Sequence, residues 1–276
     1  MRDLQQFQEI VWDYYAKHAR DLPWRSSEAD GSFDPYKIMV SEIMLQQTQV
    51  SRVIPKYEQF LTRFPNVSAL ADAQLGEVIS VWQGLGYNRR AKYLQLAAKQ
   101  VVREFGGMLP ASVEKLEALP GIGKNTAAAI CAYAFNQSVS FIETNIRSVY
   151  IHHFFNDTEQ VHDKDILKFV EQTCDQEMPR EWYWALMDYG SYLKSSIGNM
   201  SRQSKAYVKQ SKFEGSRRQI RGNVLRYLSE GPHTEKDLQE RITDERLGLV
   251  INDLEKEFSL IFPVSSDFSY EPLISV

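Results

Sequence analysis

Two glutamates of this 276-residue chain have surroundings that suit acid–base chemistry. Glu42 lies in the apolar run of residues 38–45 (IMVSEIML). Loss of hydration raises the pKa of a carboxyl group there, which keeps a general acid protonated near neutral pH. Glu143 precedes a predicted helix, whose N-terminal end favours an ionised carboxylate. The alternatives are a surface charge or buried salt bridge at Glu42, and an acid at Glu143 that only offsets the helix dipole.

One protonated and one ionised carboxyl group suit the cleavage of a glycosidic bond. The first protonates the leaving group, and the second stabilises the oxocarbenium-like sugar or positions water. If the target is a base in DNA, its nucleotide must first leave the stack. Gln46, Gln47 and Tyr87 have side chains suited to entering the duplex at that step.

A glycine-rich turn at residues 119–126 (LPGIGKNT) is the third chemical feature. Glycine allows a tight turn and close backbone approach, and the amides of the following helix can hold a phosphate. With a short helix at residues 112–118, capped by Ser112, this predicts a helix-hairpin-helix that grips a nucleic-acid backbone. The alternative is an ordinary turn between packed helices. The predicted DNA contacts here are Gly121, Ile122, Gly123, Lys124 and Thr126.

Helical periodicity dominates the rest of the chain, so we predict an all-α fold. The spacing of apolar residues and breakers predicts helices at residues 4–18, 50–63, 68–73, 75–82, 89–105, 112–118, 124–135, 145–155, 163–174 and 179–195. A further helix is entered at residues 34–36, with apolar positions that recur from 38 to 45. These helices would form residues 1–195 as two helical subdomains with a cleft between them that holds the two glutamates.

The composition changes between Lys194 and Arg221, a segment that contains eight basic residues and one acidic residue. Residues 196–219 are therefore predicted to be a basic linker, either solvated or in contact with DNA through Lys205 and Lys209. Beyond it, helices at 220–229, 234–242 and 247–258 and a strand at 259–264 predict a small winged-helix-like module at residues 220–276.

The bulk composition limits the possible functions. The apolar content of 43% is typical of a globular protein, and a net charge of −4 argues against a generally basic DNA-coating protein. Cys131 and Cys174 are too few for a disulfide framework or a four-thiolate metal site. No secretory or membrane-spanning segment stands out, so a cytoplasmic, nucleoid-associated location is expected.

Several separate motifs, taken in order, resemble the helix-hairpin-helix DNA glycosylase superfamily, and within it the A/G-mismatch adenine DNA glycosylases of the MutY type. The matching stretches are residues 22–25 (LPWR), 35–37 (PYK), 41–49 (SEIMLQQTQ), 82–87 (WQGLGY), 119–126 (LPGIGKNT) and 187–190 (MDYG). The resemblance covers roughly residues 5–195.

The resemblance implies a role for each matching residue. Glu42 falls on the catalytic glutamate that protonates the adenine ring and helps to activate water, and Asn145 falls on an asparagine beside the second catalytic acid. Tyr87 falls on an intercalating tyrosine, near which Arg89 is assigned to DNA contact. The residues assigned to the base pocket or to intercalation are Gln46, Gln47, Tyr87, Asn125, Trp24 and Arg25.

The chain departs from the family pattern in four places. Glu143 stands where the family has aspartate. Its extra methylene moves the carboxylate by about a bond length, and misplacement of that order can cost roughly 100-fold in rate. Asn125 replaces the Schiff-base lysine of bifunctional relatives, which predicts a monofunctional enzyme. The cysteine-rich iron–sulfur loop is absent and the basic linker takes its place, so no cofactor or metal is expected. The tail is too short for the domain that reads oxidised guanine.

The leading prediction is therefore a DNA glycosylase that removes adenine opposite guanine or 8-oxoguanine from double-stranded DNA and acts as a monomer. One alternative keeps the chemistry but removes thymine or uracil opposite guanine. Another is a DNA-binding protein that has lost catalysis, which the change at Glu143 and the absent cluster would explain.

Overall fold

The computed structural model describes residues 4–155, 158 and 160–258. In this part of the chain the helices are α1 (Leu4–His18), α2 (Pro35–Leu45), α3 (Val50–Arg63), α4 (Val67–Asp72), α5 (Leu75–Trp82), α6 (Arg89–Phe105), α7 (Val113–Glu117), α8 (Lys124–Phe135), α9 (Thr144–Phe154), α10 (Asp163–Thr173), α11 (Pro179–Ser196), α12 (Arg217–Glu230), α13 (Glu235–Arg241) and α14 (Leu247–Phe258). Two 3-10 turns, at Pro23–Arg25 and Met200–Gln203, complete the helical structure. The predicted all-α fold is confirmed.

The chain divides into two compact units, each built from two separate segments. The first comprises Met1–Ile43 and Leu109–Lys209. In it, α11 packs against α1, α8 and α9. The Phe7 ring of α1 contacts the rings of Tyr150 and Trp182 at centroid distances of 5.2 and 6.0 Å. Buried aromatic contacts of this kind fix α9, the helix that begins directly after Glu143.

The second unit comprises Met44–Met108 and Gln210–Val276. Its helix α12 packs against both α5 and α14. Ile79 of α5 belongs to the same apolar cluster as Val224 of α12 and Leu254 of α14, and Leu75 packs against that cluster. Helices α12–α14 therefore share their core with an element that precedes them by more than a hundred residues.

Most helix boundaries follow the sequence prediction, because apolar spacing and caps are local signals. Helix α12 begins at Arg217, three residues before the predicted start, because the Ser216 side chain accepts a hydrogen bond from the backbone N–H of Gln219 and caps it. The predicted strand at residues 259–264 lies outside the described residues, so the winged-helix-like module stays a prediction.

The predicted basic linker is packed at its start and exposed further on. Ser201 and Ser204 are buried, and the backbone of Val161 bonds to Gln203 and Lys205 on either side of Ser204. Residues 205–215 are all exposed. The boundary between packed and solvated chain therefore falls inside the segment predicted as linker.

Candidate active site

Glu42 and Glu143 both lie in the first unit and interact electrostatically. Glu42 is on α2 and Glu143 is the residue immediately before α9. The Glu143 side chain makes no capping hydrogen bond with α9, so its carboxylate is not committed to the helix end. Both residues are half-buried.

The environments of the two carboxyl groups separate their proton affinities. Burial raises the pKa of Glu42 well above its usual value, and the charge of Glu143 raises it further. Burial also raises the pKa of Glu143, but the positive charge of Arg147 opposes that rise. Glu143 consequently ionises first, and its charge then keeps Glu42 protonated to higher pH. The direction of both pKa shifts is compatible with one acid and one carboxylate, and the catalytic roles of the two residues stay predictions.

Asp188, on α11, controls the cationic charge near Glu42. It is 2% exposed, and both terminal nitrogens of Arg25 donate to its two carboxylate oxygens at 2.8 Å. Arg20 donates to it as well, through Nε at 2.6 Å and the backbone N–H at 2.9 Å. Arg25 is the one cation that lowers the pKa of Glu42. Asp188 therefore places a carboxylate directly on the cation that opposes the raised pKa of Glu42.

Tyr133 of α8 is a buried neighbour of the same carboxyl groups. Burial raises its pKa strongly, and the charges of Glu42 and Glu143 raise it further. Its ring stacks on that of Trp184 with centroids 6.0 Å apart. The hydroxyl therefore stays protonated beside the two acids.

The helix-hairpin-helix is present as predicted. The Ser112 side chain accepts a hydrogen bond from the Lys115 N–H and caps α7. Gly121 has φ +76°, in the left-handed region that favours glycine, and Gly123 precedes α8. Ile122 is 4% exposed and anchors the turn. The turn therefore presents backbone and α8 amides to solvent rather than an apolar side chain.

The hairpin is tied to the segment that carries Glu143. The Asn125 side chain, at the start of α8, donates to the carbonyl of Ile142 at 3.0 Å. Lys124 is exposed and Thr126 is half-buried. Asn125 thus fixes the backbone of the residue that immediately precedes Glu143.

Asn145 lies against α11 at a very close contact. Its side chain donates to the carbonyl of Met187 at 3.4 Å. A Cβ atom at Gly190 would lie 2.5 Å from the backbone oxygen of Asn145. Only glycine therefore lets α11 approach the first turn of α9 this closely.

The predicted intercalating residues lie in the second unit, on two loops. Gln47 has φ +55° and Tyr87 has φ +49°, both in the left-handed region. Such strain persists at residues other than glycine only where the surroundings impose it. Tyr87 is 37% exposed, and Gln46 is half-buried.

Arg90 imposes these loop conformations. Its guanidinium donates, at 2.6–3.2 Å, to the carbonyls of Met44, Gln46, Leu85 and Gly86 and to the hydroxyl of Thr48. The group also lies 5.6 Å from the Tyr87 ring centroid. Burial lowers the pKa of Arg90 to about 10, so the guanidinium stays charged at neutral pH. One side chain therefore fixes both loops.

The remaining predicted site residues have mixed surroundings. Trp24 is 6% exposed, so its ring faces the protein interior. Arg89 is exposed and pairs with Glu257 at 2.7 Å. Lys205 and Lys209 are exposed. None of these observations assigns the residues to DNA, and their roles stay predictions.

Sequence reasoning missed Asp188, Tyr133 and Arg90. Asp188 could have been found, because it is the one acid in the apolar stretch from Trp182 to Leu193, the same signal that singled out Glu42. Tyr133 and Arg90 gave no such signal. Their importance comes from which groups the fold brings to them.

The chain does not fit an iron–sulfur cluster. Cys131 and Cys174 are both buried, and a cluster requires four thiolate ligands. Among the described residues, no group of His, Cys, Asp and Glu side chains has the arrangement of a metal site.

Comparison with known proteins agrees with this architecture. The family described as HhH-GPD superfamily base excision DNA repair protein matches residues 40–175, and this match supports that superfamily for the chain. Curated proteins that it matches include adenine DNA glycosylases. That of Buchnera aphidicola subsp. Baizongia pistaciae is 34% identical over 218 residues, and that of Mus musculus is 41% identical over 151 residues.

The sequence matches cover only part of each protein, and a solved structure shares the fold. The Buchnera match covers 75% of this chain and 60% of the relative, and the mouse match covers 53% and 29%. A solved thermostable thymine-DNA glycosylase has the same fold, with a TM-score of 0.62 and 24% identity over 72% of this chain and 94% of that one. In the described part of this chain, no helix combines the length and apolar character needed to cross a membrane.

Proposed function

We propose that this protein is a monofunctional DNA glycosylase that hydrolyses the N-glycosidic bond of adenine mispaired with guanine or 8-oxoguanine. The observation that carries the proposal is the pair of carboxyl groups with separated proton affinities, Glu42 and Glu143. The curated relatives named adenine DNA glycosylases support adenine as the target base. The protein would act as a monomer on double-stranded DNA in the nucleoid.

In the proposed reaction, Glu42 donates its proton to a ring nitrogen of the flipped adenine. The bond between the sugar C1′ and the base breaks, and its electron pair leaves with the base. The ionised Glu143 stabilises the oxocarbenium-like sugar. Water then bonds to C1′, and Glu42, now a carboxylate, accepts the proton that water releases. The products are adenine and an abasic site.

Two further features support the proposal. The backbone amides at the start of α8, presented by the hairpin, suit a DNA phosphate. Asn125 carries no amine, so the chain has no Schiff-base nucleophile at that position. Strand cleavage at the abasic site should therefore be weak.

The test is base release under single-turnover conditions from four duplexes. They carry adenine opposite 8-oxoguanine, adenine opposite guanine, thymine opposite guanine and uracil opposite guanine, and alkali reveals abasic sites. The Glu42→Gln variant should lose roughly 100-fold or more of the rate, because the general acid is gone, while it keeps its affinity for DNA. Release of only thymine or uracil would replace the proposal with the pyrimidine alternative. No release, with binding intact, would favour a protein without catalysis.

A further inference from the structure

Polar side chains from the C-terminal segment of the second unit contact Tyr87. The Tyr87 hydroxyl accepts hydrogen bonds from Gln210 and from Arg218. The Gln210 amide also donates to the Gln47 side chain at 3.4 Å. The guanidinium of Arg218 lies 5.5 Å from the centre of the Tyr87 ring. These four residues, Gln47, Tyr87, Gln210 and Arg218, are called the Tyr87 cluster below.

The Tyr87 cluster is held on both sides by backbone contacts. Arg90 fixes the two loops that carry Gln47 and Tyr87. Arg218 Nη2 donates to the carbonyl of Ser211 at 2.7 Å. The cluster is therefore positioned before any ligand arrives, which lowers the entropic cost of binding.

Arg218 differs from its neighbours in its charge balance. Arg217 pairs with Asp253, and Arg221 and Arg89 both pair with Glu257. Among the described residues, no carboxylate pairs with Arg218. Its Nε also has no hydrogen-bond acceptor in the described part of the chain, whereas Nη1 and Nη2 are both engaged. A charged group with an open donor is thus kept beside the exposed aromatic ring.

This combination has the chemistry of a guanine reader. Arginine pairs with the O6 and N7 acceptors of guanine more often than with any other base. An aromatic ring can also stack on a base. Tyr87 would stack on the base that stays in the helix, which would bring Arg218 to the edge of that base.

We propose that Arg218 recognises guanine opposite the excised adenine, through its O6 and N7 acceptors, while Gln210 holds Tyr87 beside it. The inference rests on the proposed function and assigns its opposing-base specificity to a segment outside the motifs that the superfamily shares. Residues 210–218 would thereby set which mispairs the enzyme selects.

The experiment compares binding to two duplexes. Each carries adenine with a 2′-fluoro sugar, which slows cleavage, opposite either guanine or 7-deazaguanine, in which carbon replaces N7. The wild-type protein should bind the guanine duplex roughly tenfold more tightly. Arg218→Ala should bring the ratio close to one, and Arg218→Lys should lower it, because lysine lacks the planar fork. Arg217→Ala, which removes the same charge one residue away, should keep the wild-type ratio.

The result separates this inference from the proposed function. A wild-type ratio of one, or an Arg218→Ala ratio equal to wild type, would overturn the guanine reader even if adenine is released. A ratio that depends on Arg218 in a protein that releases no adenine would support the reader and overturn the glycosylase. Circular-dichroism melting of each variant confirms that it is folded.

Discussion

The two units of the molecule prepare their functional residues in opposite ways. In the first unit, Glu42 and Glu143 are set by what surrounds their carboxyl groups, through burial and charges from Arg25 and Arg147. In the second, Gln47 and Tyr87 are exposed, and their backbone is what the fold controls, through Arg90. Proton transfer requires a tuned pKa, whereas insertion into DNA requires a fixed loop. Substitutions in the two units should therefore change different observables.

The largest expected effect is that of Glu143→Gln. The variant keeps the shape of the side chain but loses the charge that would stabilise the oxocarbenium-like sugar. The single-turnover rate of adenine release should fall by roughly 100-fold or more, with DNA affinity unchanged. Glu171→Gln, at an exposed acid of α10 in the same unit, is the matched control. A Glu143→Gln rate within threefold of wild type would contradict the role of this carboxylate.

Asp188→Asn should change both stability and pH dependence. Breaking a buried ion pair costs about 3–5 kcal/mol of unfolding free energy, measurable in urea. The rate should rise with pH as Glu143 ionises and fall as Glu42 loses its proton. Without Asp188, the charge of Arg25 would favour ionised Glu42 and lower its pKa, so the alkaline limb should move to lower pH. An alkaline limb that stays in place or moves upward would show that Asp188 does not tune Glu42.

Arg90→Lys should act on the second unit alone. Lysine keeps the charge but cannot reach five acceptors. The free energy of unfolding should therefore fall by roughly 2–4 kcal/mol, and DNA affinity should fall as well. The shape of the pH–rate profile should stay the same, because Arg90 does not act on either glutamate. Arg63→Lys, at an exposed ion pair with Glu77, is the control for stability. A shifted pH–rate profile in Arg90→Lys would contradict the expectation that Arg90 acts on the second unit alone.

Gly190→Ala tests the close contact of α11 with Asn145. The added Cβ must displace backbone, which should lower the free energy of unfolding by about 1–3 kcal/mol. Because the start of α9 would move, the rate of adenine release should fall as well. Gly222→Ala is the matched control, because nothing lies within 4 Å of its Cβ position in α12. The free energy of unfolding of that variant, measured in a urea titration, should instead rise by about 0.5–1 kcal/mol. Equal stability of the two variants would be evidence against the steric account.

The smallest effect is expected from the exposed lysines. If Lys205 and Lys209 contact phosphates, replacing both with alanine should make the dependence of log affinity on log salt shallower by about 0.9 for each contact. Lys168→Ala, at a lysine paired with Asp165, should leave the slope unchanged. An unaltered slope in the double variant would assign these lysines to solvent.

The sequence predicted the features that depend on neighbours along the chain. Helix α5 was predicted at its observed bounds because its apolar spacing is local, and the raised pKa of Glu42 followed from its apolar neighbours. The pairing of Asp188 with Arg25 spans 163 positions, and no local pattern indicates it. The same holds for three of the five acceptors of Arg90, on Met44, Gln46 and Thr48, which lie 42 to 46 positions away. Contacts between distant segments decide the charge balance and loop geometry, so this part of the site required the structure.

The shared core of α5 with α12–α14 has a consequence for synthesis. Residues 44–108 leave the ribosome about 100 residues before Gln210, which is ~5–20 s at ~5–20 residues per second. During that interval the apolar side of α5 around Ile79 has no partner helix to cover it. The second unit therefore completes its folding only after the first has been translated, and premature termination near residue 209 would release a chain with that side exposed.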